Sequence, residues 1–290
     1  MRLFYEKFTG GASNFGDNLN VYLWNELLPG MFDDDDETTF IGIGTILNDE
    51  LPSKIPLAHR RIIFSSGVGY GGGPLVLAEN DKVYCVRGPL SAQALGLPST
   101  AAVSDGALLI KRFALPPFRK TFKFSFMPHI TGVADEAWTE ICSDLGFGYI
   151  DPRSSIADIL RQINETEVVL AEAMHGAIAA DVLRVPWIPI ATTSNVLAFK
   201  WQDWCASVDL PYAPQRIHPV SNCRHADGDP LAPLRRLRYN VRSRIARNDL
   251  ARVSRSAAPV LSREPLLESL TCELEARLEQ FRTDFSRNAK

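Results

Sequence analysis

The stretch 168-VVLAEAMHGAIAADVLRVPWIPI-190 indicates the fold of this chain, because it combines a strand, a turn, a helix and a second strand. Its first part, 167-EVVLAE-172, is nearly continuous in apolar residues, as expected of a parallel strand that is buried on both faces. The following segment, 175-HGAIAADVLR-184, carries apolar residues at helical spacing and ends just before Pro186. The stretch therefore predicts a β–α–β unit with His175 where the helix begins.

The same alternation extends over most of the chain. Further strands are predicted at 2-RLFYE-6, 39-TFIGIG-44, 62-IIFSSG-67, 82-KVYCVRG-88, 122-FKFSFMPH-129, 147-FGYID-151 and 186-PWIPIA-191. Further helices are predicted at 19-LNVYLWNELL-28, 89-PLSAQALG-96, 134-ADEAWTEICSDLG-146 and 154-SSIADILRQIN-164. Repeated βα units predict an α/β fold with parallel sheets.

The proline-rich stretch 111-KRFALPPFRKT-121 interrupts this alternation and is predicted to be a linker. It separates two Rossmann-like halves, residues 1–115 and 120–225, and a helical C-terminal tail follows over residues 226–290. A length of 290 residues is sufficient for two domains, each with its own core.

Composition narrows the class of protein. The chain is 46% hydrophobic and 22% charged, which is ordinary for a globular protein. Its formal net charge of -3 argues against bulk affinity for nucleic acid, so no nucleic-acid partner is expected. Because the sequence shows neither a secretory signal pattern nor an apolar run of about 18 residues, a cytoplasmic location is expected.

Cysteines and acidic residues give no sign of a metal site. The cysteines are scattered and lack a Cys-x-x-Cys pair, so they are expected to be reduced structural thiols: Cys85, Cys142, Cys205, Cys223 and Cys272. The run 33-DDDDE-37 is predicted to be a solvated loop, because adjacent carboxylates cannot all face one ion. Neither a metal ion nor another cofactor is expected.

Ligands of an open parallel sheet lie outside the carboxyl ends of its strands, so the residues that follow the predicted strands are candidates for a site. Gly44 and Gly67 either allow a ligand to approach the backbone or make tight turns. The segment 67-GVGYGGGP-74 departs from the dinucleotide fingerprint G-x-G-x-x-G. Arg87 stands where a helix begins, which favours an anionic ligand, although a salt bridge to a neighbouring acid explains it equally well.

The second half adds candidates for proton transfer. His175 opens a helix of small residues, including Gly176, whose backbone N–H groups can face an anion. Glu172 lies three residues earlier and is placed to orient or charge this histidine, and His129 ends another strand of the same half. An arginine and two histidines at strand ends predict an anion site with a proton donor. A hydrogen-bonded structural histidine is the alternative for His175.

Several motifs, taken together and in order, resemble the polysaccharide pyruvyl transferase family, particularly the bacterial branch that adds pyruvate as a ketal to exopolysaccharide repeat units. They are 14-NFGDNLNVYLWNELL-28, 42-GIGTIL-47, 66-SGVGYG-71, 86-VRGPLSA-92, 104-SDGALL-109, 127-MPH-129, 172-EAMHGAI-178 and 200-KWQDW-204. The resemblance covers about residues 1 to 210 and implies a fold like the two-domain GT-B glycosyltransferases, with phosphoenolpyruvate as donor.

The resemblance also implies the chemistry. The methylene carbon of the enol phosphate is protonated, a sugar hydroxyl attacks C2, phosphate leaves, and a second hydroxyl closes the ketal. Such a reaction needs an acid, a base and an anion clamp. His175 is expected to act as general acid or phosphate contact, and Glu172 to orient it or act as base.

Residues that bind the substrates follow from the same resemblance. The second half is the expected donor side, and the donor contacts are Arg87, His129, Gly176 and Lys200. Many relatives carry an arginine two positions before the histidine of the MHG motif, where this chain has Ala173, and Arg87 first or Lys200 second is expected to replace that cation. The first half is the expected acceptor side, with contacts from Asn14, Asp17, Asn18, Gly44 and Gly67. For Asp17, and likewise for Asp105, a helix N-cap is the alternative.

The tail contains a segment of basic character, 235-RRLRYNVRSRIARNDLARVSR-255, which predicts an amphipathic helix or a pair of helices. Such a helix is either solvated and structural or in contact with an anionic membrane, since acceptors in this family are typically lipid-linked oligosaccharides. The acidic segment 264-EPLLESLTCELEARLEQF-281 is a predicted helix that can pair with it.

Two other functions remain open for the whole chain: a GT-B glycosyltransferase that uses a nucleotide sugar, and a non-catalytic protein that binds a glycan or an anion.

Overall fold

A computed structural model gives the structure of the chain. It describes residues 1–7, 13–33, 35–113, 116, 118–133, 136–193, 197–220 and 231–288. The strands are β1 Arg2–Phe4, β2 Thr38–Ile41, β3 Arg60–Phe64, β4 Lys82–Cys85, β5 Phe122–Met127, β6 Gly148–Tyr149, β7 Thr166–Ala171, β8 Trp187–Ala191 and β9 Gln215–Arg216. The α-helices are α1 Phe15–Leu27, α2 Leu51–Lys54, α3 Pro89–Ala94, α4 Ala137–Leu145, α5 Ile156–Asn164, α6 Met174–Val182, α7 Ala198–Ser207, α8 Ala232–Ser256 and α9 Glu264–Asn288.

The chain forms two compact units. The first unit comprises Met1–Leu115, Leu197–Tyr212 and Ser262–Lys290, and the second comprises Pro116–Val196 and Ala213–Leu261. The predicted tail therefore does not form a body of its own. Its helix α8 belongs to the second unit and α9 belongs to the first, because each contributes apolar side chains to the core of that unit.

The first unit is built on a parallel sheet in the order β1-β2-β3-β4. Aromatic side chains cover part of this sheet: Trp24 of α1 packs edge-on against Phe40 and Phe64, and Phe281 of α9 packs on Phe40. A second cluster of aliphatic residues includes Ile41 and other side chains of the strands and their loops. Core on both sides of the strands explains why their sequences are nearly continuous in apolar residues.

The second unit is built on a parallel sheet in the order β6-β5-β7-β8-β9. From β5 the chain moves outward to β6, returns past β5 to β7, and then continues to β8 and β9. The strand order therefore reverses between β5 and β7, which makes this pair a topological switch point. Apolar residues of α4 and α8 pack with Phe126 and Leu170 of these central strands in one core.

The structure confirms the parallel α/β class and the predicted strands and helices, with shorter strands than the sequence indicates. Helix α1 begins at Phe15 rather than at Leu19. The sequence patterns missed β9 and helices α2 and α7, of which β9 and α2 have only two and four residues. Elements this short carry too few residues for a periodic pattern.

The thiols and the acidic run can also be compared with expectation. Cys85, Cys142 and Cys205 are free and buried, and Cys272 is free and exposed, while Cys223 lies outside the described residues. Burial raises the pKa of the Cys85 and Cys142 thiols to about 12. In the run 33–37, Asp33 binds the N-terminal amine and Asp36 binds Arg2, with Asp34 outside the described residues.

Candidate functional site

The switch point of the second sheet places three predicted site residues at one edge. β5 is followed by His129, β7 is followed by Glu172 and then His175, and the neighbouring β8 is followed by Thr192. A crevice for ligands is expected outside the carboxyl ends of strands where their order reverses. His129 and Glu172 follow the two strands that flank this reversal.

Glu172 holds the ends of three strands together. Its side chain is buried, and its Oε2 accepts a hydrogen bond from the backbone N–H of His129 at 3.0 Å. Its Oε1 accepts from the backbone N–H of Thr192 at 2.8 Å and from the Thr192 hydroxyl at 2.5 Å. Charge-assisted hydrogen bonds of this kind stabilise a carboxylate without a cation. Glu172 therefore fixes the positions of the loops that carry His129 and Thr192.

His175 lies in the first turn of α6. The helix starts at Met174 with Ala173 at its N-cap, and all residues of α6 except His175 are buried. The first N–H groups of a helix have no acceptor within the helix, and the helix dipole adds partial positive charge there. The first turn of α6 therefore offers N–H groups to an anion, and it carries His175, whose ring is half-buried.

Gly176 has a packing function next to this histidine. A Cβ atom at Gly176 would overlap the Sδ atom of Met127, the last residue of β5. The glycine therefore lets the start of α6 approach the end of β5 closely. This contact supplies a structural reason for the glycine, whereas the sequence predicted a donor contact.

His129 sits at the N-cap of a short 3-10 turn, Ile130–Gly132. Its Nδ1 lies 2.9 Å from the hydroxyl oxygen of Thr131, and this contact fixes the orientation of the half-buried ring. Together with the Glu172 hydrogen bond to its backbone N–H, it holds His129 at the carboxyl end of β5. Side chains that are fixed in this way are suited to bind a substrate group without reorganisation.

Arg87 forms a buried ion pair in the first unit. Its Nε donates to Asp203 Oδ2 at 3.0 Å, and both side chains are fully buried. The guanidinium also donates to Thr45 Oγ1 at 2.7 Å and to the Val68 carbonyl oxygen at 3.3 Å. Asp203 in turn accepts from the backbone N–H of Ser91 at 2.9 Å. The salt-bridge alternative for Arg87 is therefore the arrangement found, and its role as a donor contact stays a prediction.

Two glycines of the first unit are explained by this arrangement. A Cβ atom at Gly67 would overlap the guanidinium of Arg87, so a larger residue there would displace the end of that side chain. Gly44 has a φ of 148°, a conformation that favours glycine, and its carbonyl oxygen accepts from the Gly67 N–H at 2.9 Å. Both glycines therefore serve the packing of loops at the ends of β2 and β3, which is the tight-turn alternative.

Lys200, the second predicted cation, differs from Arg87. Its side chain is only 7% exposed, its Nζ donates to the Tyr70 hydroxyl at 3.1 Å, and it lies 5.6 Å from the centre of the Tyr70 ring. Within the described part of the chain, no carboxylate forms an ion pair with Lys200. A buried cation without a counter-ion is costly, so this ammonium group is suited to receive an anion.

The predicted acceptor contacts around α1 are linked to one another. Asn14 occupies the N-cap position, so Asp17 lies within the first turn and is not the cap. Asn14 Nδ2 donates to Asp17 Oδ2 at 2.6 Å, and Asn18 Nδ2 donates to Ser13 Oγ at 2.6 Å. All three predicted side chains are half-buried, so they keep surface for further contacts.

Two other polar residues of the first unit have structural roles. Asp105 caps the 3-10 helix Gly106–Arg112 by accepting from the Ala107 N–H at 3.0 Å, as its capping alternative predicts. Asn20, which the sequence reasoning missed, is fully buried and bonds both the N–H and the carbonyl oxygen of Ile43, at 2.8 and 2.9 Å. Its position inside the motif 14-NFGDNLNVYLWNELL-28 is the only signal that the sequence offers for it.

The structure thus sorts the predicted site into two groups. The second unit brings together His129, Glu172, His175 and Gly176, and the first unit holds Arg87, Lys200, Gly44, Gly67, Asn14, Asp17 and Asn18. Thr192, Asp203, Ser91 and Tyr70 join these groups without having been singled out. The described residues contain no cluster of three or more His, Cys, Asp or Glu side chains that could hold a metal ion.

Parallel sheets with histidines and glycine-rich loops at their strand ends define an α/β protein, a class in which ligands commonly bind at the carboxyl ends of the strands. The family model of polysaccharide pyruvyl transferase matches residues 14–195, and this match includes His129, Glu172 and His175. The chain belongs to the polysaccharide pyruvyl transferase family.

One curated relative is the succinoglycan biosynthesis protein ExoV of Rhizobium meliloti (strain 1021). The two sequences are 40% identical over 212 residues, which cover 72% of this chain and 65% of ExoV. The chain therefore spans less than two thirds of the length of that relative. No solved structure shows a significant match to the chain.

Proposed function

We propose that this protein transfers pyruvate from phosphoenolpyruvate to a sugar of an exopolysaccharide repeat unit, forming a ketal and releasing phosphate. Membership of the polysaccharide pyruvyl transferase family and the relation to ExoV support the reaction class. The observation that carries the proposal is the position of His175 in the first turn of α6, beside the switch point between β5 and β7. The reaction needs groups that bind the anionic donor and a proton donor at one place, and the first turn of α6 with His175 is the proposed source of both.

The proposed roles follow from the hydrogen bonds of the site. His175 protonates the methylene carbon of the enol phosphate or binds the phosphate that leaves, and the first-turn N–H groups of α6 stabilise the negative charge. His129 is a second contact for the donor. Glu172 already binds the His129 N–H and Thr192, so its proposed role is to position these loops. Removing this carboxylate would disturb the loops that carry His129 and Thr192.

The first unit contributes a cation and polar groups to the proposal. Lys200 is proposed as the contact for an anionic substrate group, because Arg87 is engaged by Asp203 and Lys200 has no carboxylate partner among the described residues. Asn14, Asp17 and Asn18 are proposed to bind acceptor hydroxyls. The family resemblance further suggests a GT-B-like arrangement, a cytoplasmic enzyme and a lipid-linked acceptor beside a membrane, and these stay predictions.

The donor can be tested by ligand-induced stabilisation and by product analysis. A ligand that binds only the native state raises the melting temperature by mass action. Phosphoenolpyruvate is expected to raise it, with or without acceptor, and phosphate release is expected when a suitable exopolysaccharide fragment is added. Pyruvate and inorganic phosphate, given separately, serve as matched ligands. No shift with phosphoenolpyruvate under either condition would contradict the proposal.

The same assay separates the alternatives. A larger shift with a nucleotide sugar, together with turnover in the absence of phosphoenolpyruvate, would indicate a glycosyltransferase. Binding of donor or glycan without any phosphate release would indicate a binding protein. Detection of a pyruvyl ketal in the product by mass spectrometry and NMR is the outcome that we expect.

A further inference from the structure

The N-terminal half of α8 presents large apolar side chains to solvent. Leu234, Leu237, Val241 and Ile245 are 63%, 60%, 50% and 37% exposed. They recur every three or four residues, so they lie along one side of the helix. We call these four residues the α8 stripe. Large apolar side chains that are exposed side by side indicate a contact surface.

The α8 stripe is separate from the face that attaches this helix to its unit. Ala246, Leu250 and Val253 of α8 are fully buried in the core that contains Trp138 and Leu170. At about 100° of rotation per residue, these positions lie on roughly the opposite side of the helix from the stripe. The core face therefore explains how α8 is held, and among the residues that the structure describes the stripe takes no part in that core.

Positive charge surrounds the α8 stripe. The sequence from residue 231 to residue 248 contains six arginines and no acidic residue. By helical spacing, Arg238 and Arg242 lie along one side of the stripe and Arg244 along the other. No carboxylate forms an ion pair with these three or with Arg236 among the residues that the structure describes.

The acidic face of α9, which the sequence predicted as a partner for the basic segment, has ion pairs within the first unit. Lys111 pairs with Glu264 and Glu268, and Arg112 pairs with Glu268 and Glu275. The proposed helix pairing is therefore not needed to explain the charges of α9. The arginines beside the α8 stripe form no ion pair with these carboxylates.

We propose that the α8 stripe and its flanking arginines bind the surface of an anionic membrane, with the helix lying in the plane of the interface. Apolar side chains would enter the boundary between headgroups and acyl chains, and the arginines would contact anionic headgroups. A second copy of the chain fits less well, because joining two stripes would bring the arginines of both copies together. The inference concerns attachment alone and does not depend on the pyruvyl transfer proposed above.

The test is flotation of the full chain with vesicles of phosphatidylcholine and phosphatidylglycerol. Binding is expected at low salt and is expected to weaken as ionic strength rises, because salt screens exposed charges. Vesicles of phosphatidylcholine alone should bind at least about tenfold less protein, since each arginine near an anionic surface contributes to affinity. Absence of binding to anionic vesicles at low salt would overturn the inference.

Variants separate the contribution of the stripe from that of charge. The combined substitutions Leu234→Ser, Leu237→Ser, Val241→Ser and Ile245→Ser leave every charge in place and should weaken vesicle binding by about tenfold or more. The combination Arg238→Gln, Arg242→Gln and Arg244→Gln should do the same. A control with Arg119→Gln, Arg161→Gln and Arg263→Gln loses the same number of positive charges and should retain binding.

Equal loss of binding in the control variant would show attraction by overall charge and would overturn the inference. Sedimentation velocity without lipid is the other decisive measurement: a dimer that the stripe substitutions abolish would assign the stripe to a second copy. Native circular dichroism confirms that each variant folds. Phosphate release with a soluble acceptor is measured in parallel, so failure of attachment and failure of the proposed reaction give different results.

Discussion

The carboxyl ends of the two sheets each hold a buried charge, but the protein neutralises the two charges differently. In the first unit, Arg87 is paired with a carboxylate, Asp203, and both are fully buried. In the second unit, the carboxylate of Glu172 is bound by two backbone N–H groups and the Thr192 hydroxyl. Both arrangements tie together loops that are distant in sequence. Charged residues in the motifs of this chain can therefore serve the architecture of the strand ends.

The two sheets also differ in topology. The described strands of the first sheet follow one another in chain order, whereas the order of the second sheet reverses between β5 and β7. A reversal leaves a crevice, because the connections on its two sides run to opposite faces of the sheet. This difference favours the second sheet as the place of the proposed donor chemistry, while Arg87 and Asp203 tie together loops of the first unit.

The largest expected effect comes from breaking the ion pair of the first unit. Arg87→Met leaves Asp203 buried without its cation and is expected to lower the free energy of unfolding by about 3–5 kcal/mol. Urea denaturation followed by circular dichroism measures this loss. The double variant Arg87→Met, Asp203→Leu should recover much of it, because no uncompensated charge remains. A loss below about 1 kcal/mol in the single variant would contradict the structural role.

His175→Ala tests the assignment of chemistry to the second sheet. Turnover is expected to fall by about 10²-fold or more, in line with the contribution of a general acid. The free energy of unfolding should change little, since the ring is half-buried. Phosphate release under saturating donor is the measurement, and His218→Ala, at an exposed histidine of the same unit, is the matched control. Near-normal turnover in a folded variant would make His175 a structural residue.

Glu172→Gln distinguishes positioning from base catalysis. An amide group cannot accept at both oxygen positions, so a buried N–H or hydroxyl loses its acceptor, and stability should fall by about 1–3 kcal/mol. Thr192→Val removes only the hydroxyl contact and should cost less. If Glu172 positions the loops, the variant loses turnover and keeps the shape of its pH–rate profile. Loss of one limb of that profile would instead identify Glu172 as the base.

The smallest effect is expected at Lys200, the cation of the first unit that has no carboxylate partner among the described residues. Lys200→Met should raise KM for phosphoenolpyruvate by about tenfold, which corresponds to the free energy of roughly one hydrogen bond to a charged group. The free energy of unfolding should change little. Tyr70→Phe removes the hydroxyl that Lys200 contacts and is the matched control, with a smaller expected change. An unchanged KM in Lys200→Met would remove Lys200 from the proposed site.

The sequence predicted much of this molecule correctly. The strands β1 to β8 and helices such as α5 and α6 were predictable because buried parallel strands and amphipathic helices have different periods of apolar residues. The placement of His129, Glu172 and His175 just after strands of one half was also predictable, since chain order fixes it. The division of the tail between two cores was not, because both α8 and α9 read as helices whichever unit they pack against.

The sequence by itself determined the βα alternation, the family motifs and the residue types at the strand ends, because these depend on local spacing and composition. Only the tertiary structure decided what each charge contacts. Arg87 meets Asp203 across 116 positions of the chain, and Glu172 meets Thr192 across a helix and a strand. The sequence alone left open whether Arg87 binds a ligand or an acid. The folded structure pairs Arg87 with the acid, because a buried charge without a partner is too costly. The sequence could not show this pairing, since the partner comes from a distant segment.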